Sequence, residues 1–379
     1  MKKVRDPKDA LEGLVPYDAK AIKAEVVLSN NEHPDNIPKE IAAWIAQRID
    51  KFQFNRYPDP TARELRTLIA EANGLDAANV LVGNGGDELI LDILLAWGGP
   101  NRKVLDLPPT FSMYAIDAKI TGTELVSIPR DAEFKVEGDA VLERLAQGDI
   151  DVVMIANPNN PTGNLCPETL LIDILNASDA LVVVDEAYFE FSRHTMRPHM
   201  DRHRNLVILR TFSKAFSIAG MRVGYLLGHE DVLDEIRKVR QPYSVNAFSQ
   251  WVALKVFRER VVFENAIREL MRERDRIVFG LAELDGVEVF SSEANFVLFR
   301  VEHAGALWHD LLHSHSVLVR DLTRAEGLQD CLRVTIGSPE ENTAFLTAMR
   351  AALSARRLSQ MMTSGAAADH PATQEEAGK

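Results

Sequence analysis

Lys214 is the residue whose position in the sequence most needs a chemical explanation. It lies in the segment RTFSKAFSIAGMRVGY, just after an apolar run that ends at Leu209. A single lysine in such a place is usually an ordinary surface residue. Ser213 precedes this one, and Arg222 follows eight positions later. A lysine accompanied by a hydroxyl and a guanidinium group is a candidate nucleophile or base beside a bound anion.

A second group of candidate residues follows the run NVLV, in the segment GNGGDELI. Gly85 and Gly86 lead into a helical pattern, and we expect Asp87 to cap that helix. The backbone N–H groups and the positive dipole end of such a helix suit a phosphate. The glycine spacing matches neither a dinucleotide fingerprint nor a P-loop. A tight strand–helix turn without a ligand is therefore an equal alternative at this point.

Two more apolar runs end in polar residues. Asn157 follows DVVMIA and begins NPNNPTG, where its amide is placed to donate to a ligand oxygen. Asp185 follows ALVVV, and a carboxylate at the end of a buried run is unfavourable unless a cation pairs with it. Tyr188 lies three residues beyond Asp185 and points to the same ligand.

Seven short apolar runs must position these residues. They are NVLVG, KVLDLP, ELVSIP, DVVMIAN, ALVVVDEA, NLVILRT and RVGYLLG. Helical patterns separate most of them, which predicts an α/β fold with a mostly parallel central sheet and helices on both faces. Ligands in such sheets bind beyond the carboxyl ends of the strands. The candidate residues therefore converge on one edge of one sheet.

Pyridoxal phosphate needs the set of groups that converges there. A lysine binds the cofactor covalently, a carboxylate keeps the ring nitrogen protonated, and hydrogen-bond donors hold the 3-oxygen. An arginine, hydroxyl groups and helix amides hold the phosphate. We therefore predict a pyridoxal 5'-phosphate site.

Many segments in order resemble the aspartate-aminotransferase-like family (fold type I) of pyridoxal-phosphate enzymes. They are LVPY, SNNEHP, RYPDPTARELR, GNGGDELI, PTFSMY, NPNNPTG, DEAYFEF, TFSKAFSIAGMRVGY, ANFVLFR and LRVTIGSPEEN, and they cover nearly the whole chain. Within this family the chain is most similar to the histidinol-phosphate aminotransferase subfamily. Two features depart from the family pattern: Gly86 replaces a common serine, and the usual Pro-Gly is missing after Tyr17.

The resemblance implies a role for each matched residue at the cofactor. Lys214 binds the cofactor covalently, Asp185 pairs with its ring nitrogen, and Asn157 and Tyr188 bind its 3-oxygen. Phe111, rather than Tyr114, stacks on the ring. The phosphate is held by Gly85, Gly86, Thr211, Ser213 and Arg222, and Asp87 is a further cofactor-binding residue. Arg222 and the arginines of the substrate pocket are expected to lower the pKa of Lys214, which suits it to act as a base.

The resemblance also implies contacts with the substrate and with a second subunit. Arg320 and Arg333 match the arginines that bind the anionic end of the substrate, which is either a phosphate or an α-carboxylate. Tyr17 and Asn30 belong to N-terminal segments that contact the substrate. Tyr57 reaches the cofactor phosphate of the neighbouring subunit, so a homodimer is expected.

Three functions remain open from the sequence. The first is transfer of the amino group of L-histidinol phosphate to 2-oxoglutarate in histidine biosynthesis. The second is an aromatic amino-acid aminotransferase or a phosphothreonine-type decarboxylase with the same lysine. The third is a non-catalytic pyridoxal-phosphate sensor, which the lack of a helix-turn-helix pattern disfavours.

The charge and the cysteine content of the chain bear on its binding partners and its location. The 379-residue chain has a net charge of −13, which argues against nucleic acid or an anionic membrane as a partner. Its two cysteines have no metal or redox spacing and favour a cytoplasmic location. His309 and His313 are spaced for a metal, but without an acidic partner in register they indicate an exposed helix, so no metal site is predicted.

The patterns divide the chain into four parts. We expect an N-terminal arm with part of the small domain (1–50), a large cofactor-binding α/β domain (51–250), a smaller α+β domain (251–358) and a disordered tail (359–379). Residues 1–35 have no regular pattern and are expected to be arm or loop. Thr61 with Glu64, and Ser338 with Glu341, fit capping boxes at helix starts.

Overall fold

The computed structural model describes residues 11, 13–14 and 22–368, with side chains through residue 358. The strands are β1 (Val26–Leu28), β2 (Val80–Gly83), β3 (Lys103–Asp106), β4 (Glu124–Ser127), β5 (Val152–Ala156), β6 (Leu181–Asp185), β7 (Leu206–Thr211), β8 (Gly224–Leu227), β9 (Val287–Val289), β10 (Phe296–Val301), β11 (Val317–Asp321) and β12 (Cys331–Thr335). The helices are α1 (Lys39–Ala46), α2 (Arg63–Asn73), α3 (Gly85–Trp97), α4 (Met113–Thr121), α5 (Gly138–Leu145), α6 (Glu168–Ala177), α7 (Phe189–Ser192), α8 (Glu230–Val239), α9 (Ala247–Arg258), α10 (Glu264–Ala282), α11 (Ala304–His315) and α12 (Pro339–Ala368).

The seven apolar runs form one sheet, in the order β2-β8-β7-β6-β5-β3-β4. Strands β3 to β7 pair in parallel, whereas β8 is antiparallel to both of its neighbours. Every residue of β5, β6 and β7 is buried, which explains why these runs are apolar without alternation. The prediction of a mostly parallel α/β sheet is confirmed, and the carboxyl ends of β5, β6 and β7 lie side by side.

A second sheet has the order β1-β11-β12-β10-β9. Its first strand comes from residues 1–35, for which the sequence predicted only arm or loop. That prediction is wrong for Val26–Leu28, which pair in parallel with Val317–Val319. A three-residue strand has too few positions to show a period, so the sequence carries no signal for it.

Two helix starts test the capping predictions. Ser338 and Glu341 form the predicted reciprocal bonds, with N to Oε2 at 2.8 Å and N to Oγ at 3.2 Å. At α2 the prediction is wrong, because the carboxylate of Asp59 accepts from the backbone N–H groups of Thr61 and Arg63. Asp59 precedes the helix by four residues and replaces Thr61 as the acceptor.

The last helix extends beyond the predicted end of the ordered chain. It continues to Ala368, so the first ten residues of the segment predicted as a disordered tail are helical. Among the described helices, none combines the length and the apolar character that a membrane span requires.

Candidate active site

Lys214 lies in the loop after β7 and is partly buried. Its Nζ donates to the backbone carbonyl oxygen of Asn30, at 3.1 Å. The pKa of Lys214 is lowered to about 8, chiefly by burial and then by the positive charges of Arg333 and Arg222. The expected cations do lower this pKa, but burial is the larger cause. An amine with such a pKa is partly neutral near neutral pH and can act as a nucleophile or base.

Asp185 ends β6 and is only 7% exposed. Its Oδ2 accepts from Tyr114 Oη at 2.8 Å, and its Oδ1 accepts from the N–H of Ala187 at 3.0 Å. Burial is the main reason that the pKa of Asp185 is raised to about 6. No cation of the described chain forms an ion pair with this carboxylate. A buried carboxylate in this state favours a cationic ligand.

Asn157 lies directly beside Asp185, since its backbone N–H donates to the Asp185 carbonyl at 2.8 Å. Its side-chain Oδ1 accepts from the N–H of Cys166 at 2.8 Å. This bond fixes the orientation of the side chain, so that the NH₂ group faces away from Cys166. The buried Asn157 side chain is therefore oriented as a donor.

Tyr188 is buried, and its hydroxyl accepts from Asn31 Nδ2 at 2.9 Å. Asn31 is itself held by Thr335, whose Oγ1 lies 2.9 Å from the Asn31 backbone N. Asn295 Nδ2 donates to the Asn31 carbonyl at 3.1 Å. Sequence reasoning selected Asn30 and missed Asn31, because the contact between Asn31 and Tyr188 arises only when the N-terminal segment packs on the large sheet.

The glycine segment and Arg222 form one surface at the start of α3. This helix begins at Gly85 with Asn84 as its N-cap residue, so the prediction that Asp87 caps it is wrong. Asp87 lies in the first turn, and its Oδ2 accepts from Arg222 Nη2 at 2.9 Å. Gly85 has φ +83°, and a Cβ atom there would lie 2.6 Å from Arg222 Nη2. Only glycine permits both this backbone and this approach.

The hydroxyl groups predicted for this surface lie beside Arg222. Thr211 and Ser213 are buried, and their Oγ atoms are 3.0 Å apart. Arg222 Nη1 donates to Ser213 Oγ at 3.3 Å. Gly86 follows Gly85 in the first turn of α3. Helix amides, two hydroxyls and one guanidinium therefore converge, as an anion requires.

Arg320 and Arg333 lie directly opposite each other on β11 and β12. Arg333 is 7% exposed, and it donates to Asn160 Oδ1 at 2.5 Å and to the Ser29 carbonyl at 2.9 Å. Like charges opposite each other in an antiparallel pair are unfavourable. Arg333 lies close enough to Lys214 for its charge to lower the pKa of that lysine, so the pair is a candidate binding site for an anion.

Four predicted residues remain, namely Phe111, Asn30, Tyr57 and Tyr17. Phe111 is partly buried, with its ring 5.7 Å from that of Tyr114 in an edge-on arrangement. Asn30 is exposed, and its contact with Lys214 is made by the backbone carbonyl. Tyr57 is 83% exposed and stacks on Tyr243 at 4.7 Å. Tyr17 lies outside the described residues.

Among the described residues there is no cluster of three or more His, Cys, Asp or Glu side chains that suits a metal ion. The rings of His309 and His313 lie 4.2 Å apart and are tilted by 47°, and they belong to no such cluster.

Comparison with known proteins shows the family. The model of the family "Aminotransferase class I and II" matches residues 23–349. This chain is an aminotransferase of class I and II.

Two of the curated relatives of this aminotransferase are histidinol-phosphate aminotransferases. The protein from Carboxydothermus hydrogenoformans is 40% identical over 91% of this chain and 98% of its own length. The protein from Caldanaerobacter subterraneus is 35% identical over 92% of this chain and 98% of its own length.

Solved structures confirm the fold type I architecture of this aminotransferase. The histidinol-phosphate aminotransferase from Clostridium acetobutylicum aligns with a TM-score of 0.80 and 27% identity, covering 87% of this chain and 99% of that one. The L-threonine-O-3-phosphate decarboxylase from Porphyromonas gingivalis aligns with a TM-score of 0.78, 27% identity and the same two coverages. The fold alone therefore does not separate these two activities.

Proposed function

We propose that this aminotransferase transfers the amino group of L-histidinol phosphate to 2-oxoglutarate, with pyridoxal 5'-phosphate as cofactor, in histidine biosynthesis. The observation that carries the proposal is the opposed pair of Arg320 and Arg333, of which Arg333 lies within the electrostatic reach of Lys214. The names of the relatives with 35% and 40% identity support the same substrate. A phosphate monoester carries up to two negative charges, whereas the carboxylate of an aromatic amino acid carries one, so two guanidinium groups favour the phosphate.

The residues present fit pyridoxal phosphate. Its phosphate would be held by the amides of Gly85 and Gly86, the hydroxyls of Thr211 and Ser213, and Arg222. Asp185 supplies the anion that a protonated ring nitrogen needs, and Asn157 and Tyr188 supply polar groups for the 3-oxygen. Phe111 supplies the aromatic face. When bound, this cofactor provides an electron-accepting ring that stabilises negative charge at the carbon bearing the amino group.

Residues of the chain itself then bind the substrate and transfer the proton. Arg320 and Arg333 bind the anionic end of the donor and fix its position. Lys214 Nζ removes the proton from the α-carbon of the donor, which its lowered pKa favours. The same arginines suit the second carboxylate of 2-oxoglutarate, because both substrates present an anion at the end remote from the reacting carbon.

We also propose that the enzyme is a homodimer in which Tyr57 contacts the cofactor phosphate of the neighbouring subunit. The support is the exposure of Phe54 (68%) and Tyr57 (83%) on one short segment. Large aromatic side chains exposed together are typical of protein–protein interfaces.

Substitution of Lys214 tests the site directly. Protein incubated with pyridoxal phosphate and then dialysed should retain visible absorbance, and Lys214→Ala should not retain it. Lys238→Ala is the matched control, because Lys238 forms a surface ion pair with Glu235. Retention of the absorbance by Lys214→Ala, or its loss in Lys238→Ala alone, would show that the lysine has been misassigned.

A further inference from the structure

Tyr114 connects two residues that the proposed function places at the cofactor ring. It lies on α4 with no exposed surface, and its Oη donates to Asp185 Oδ2 at 2.8 Å. Its ring also meets that of Phe111 edge-on, at 5.7 Å between centroids. One buried side chain therefore touches both the carboxylate and the aromatic face of the proposed ring site.

The surroundings of Asp185 give this contact its importance. The nearby charges of Asp87 at the start of α3 and Glu186 on the next residue are negative and, with burial, disfavour ionised Asp185. The hydrogen bonds from Tyr114 and from the Ala187 N–H oppose this effect. Tyr114 supplies the side-chain donor, and charge-assisted bonds of this kind are stronger than neutral ones.

The hydroxyl of Tyr114 keeps its proton and therefore remains a hydrogen-bond donor. Burial and then the charge of Asp185 raise the pKa of Tyr114 well above its ordinary value, so the phenol keeps its proton. Arg130 opposes this shift and is buried beside the same residues. Its Nε donates to the Leu107 carbonyl at 3.0 Å, which anchors the segment leading to Phe111 and Tyr114.

We propose that Tyr114 is a positioning residue for amino transfer, whose phenol keeps Asp185 ionised and directed at the ring nitrogen of the cofactor. This inference rests on the proposed function, since it requires Asp185 to face that nitrogen. A ring at position 114 that served only for packing would be replaced by phenylalanine without any change in the protonation of the nitrogen.

The test compares Tyr114→Phe with Tyr225→Phe. Tyr225 is also buried and interacts through its hydroxyl with Arg210, so the control loses a similar buried contact outside the site. Each protein is loaded with ¹⁵N-labelled pyridoxal phosphate, and the ring nitrogen is followed by NMR across pH. The acid limb of the kcat profile is measured in parallel.

In Tyr114→Phe we expect the nitrogen to lose its proton at lower pH than in the wild type. We also expect the acid limb of kcat to move up by about one to two pH units, since a hydrogen bond to the charged carboxylate is lost. The value of kcat should fall about 10- to 100-fold with little change in KM. Tyr225→Phe should match the wild type in all three readouts. Tyr114→His, which returns a donor, should recover part of the nitrogen protonation.

A nitrogen signal and an acid limb in Tyr114→Phe that equal those of the wild type would overturn the inference and leave the proposed function intact. A histidine variant as impaired as the phenylalanine variant would also count against a donor role. A wild-type protein that fails to bind the labelled cofactor would overturn both proposals together.

Discussion

Arg320 and Arg333 lie directly opposite each other on neighbouring antiparallel strands, although both are positively charged. Arg333 forms hydrogen bonds with Asn160 and with the Ser29 carbonyl, which hold its guanidinium in place. A pair of this kind lowers the stability of the sheet unless an anion binds between the two charges. In the proposed function, this pair is the part of the site that distinguishes substrates by charge.

Arg320→Gln separates the effect on binding from the effect on stability. We expect KM for L-histidinol phosphate to rise about 10- to 100-fold, because a hydrogen bond to a charged group is lost. The melting temperature should stay equal or rise, since the repulsion from Arg333 is removed. Arg300→Gln is the control, because Arg300 forms a surface pair with Glu288 on a neighbouring strand. Equal KM values in the two variants would contradict the assignment.

Cofactor uptake should depend on pH through Lys214. Its pKa is lowered to about 8, and only the neutral amine can attack an aldehyde. The rate at which ligand-free protein takes up pyridoxal phosphate should therefore rise with pH and level off above about pH 8. Arg333→Met removes a charge that lowers this pKa, so its curve should shift to higher pH. Stopped-flow absorbance measures both curves, and a rate that falls between pH 6 and 8 would be inconsistent with this role.

Gly85→Ala should weaken cofactor binding. The substitution imposes a left-handed conformation on alanine and places its Cβ 2.6 Å from Arg222 Nη2. Gly148→Ala is the control, because Gly148 has φ +72° and no atom lies within 4 Å of the position that a Cβ would take, so the variant bears backbone strain alone. Both variants should lose about 1 kcal/mol of stability. Only Gly85→Ala should also raise the dissociation constant of pyridoxal phosphate, by about 10-fold or more. Equal affinity in the two variants would remove Gly85 from the phosphate site.

Mixed subunits test the role of Tyr57. Lys214→Ala and Tyr57→Ala should each have little activity alone. When they are mixed and allowed to exchange, half of the dimers combine both chains and contain one intact site. Activity should then recover to about a quarter of the wild-type value. Mixing Lys214→Ala with Lys214→Ala,Tyr57→Ala is the control and should recover nothing. No recovery in the first mixture would show that Tyr57 does not act across the dimer.

The large sheet could be predicted from the sequence because its strands are buried on both faces. Runs such as Leu181–Asp185 and Leu206–Thr211 are apolar throughout, and the polar residues that end them mark the ligand edge. Strand β1 could not be predicted, because three residues show no period. The capping residue of α2 was missed because the acceptor is Asp59, two residues before the expected Thr61.

The residues proposed to touch the cofactor also have clear signals in the sequence, since each belongs to a local motif at a strand end. Asn31 and Tyr114 are different, because each acts on another side chain across a long stretch of sequence. The bonds from Asn31 to Tyr188 and from Tyr114 to Asp185 form only when separate elements pack together. Contacts of this kind leave no spacing pattern in the chain.

The most direct test of the central claim is a comparison of amino donors. Protein loaded with pyridoxal phosphate is given 2-oxoglutarate and one donor, and the glutamate formed is measured. We predict that kcat/KM for L-histidinol phosphate exceeds that for L-phenylalanine or L-tyrosine by about 100-fold or more, and that L-threonine phosphate releases no carbon dioxide. A higher kcat/KM for an aromatic amino acid, or release of carbon dioxide from L-threonine phosphate, would contradict the proposed function.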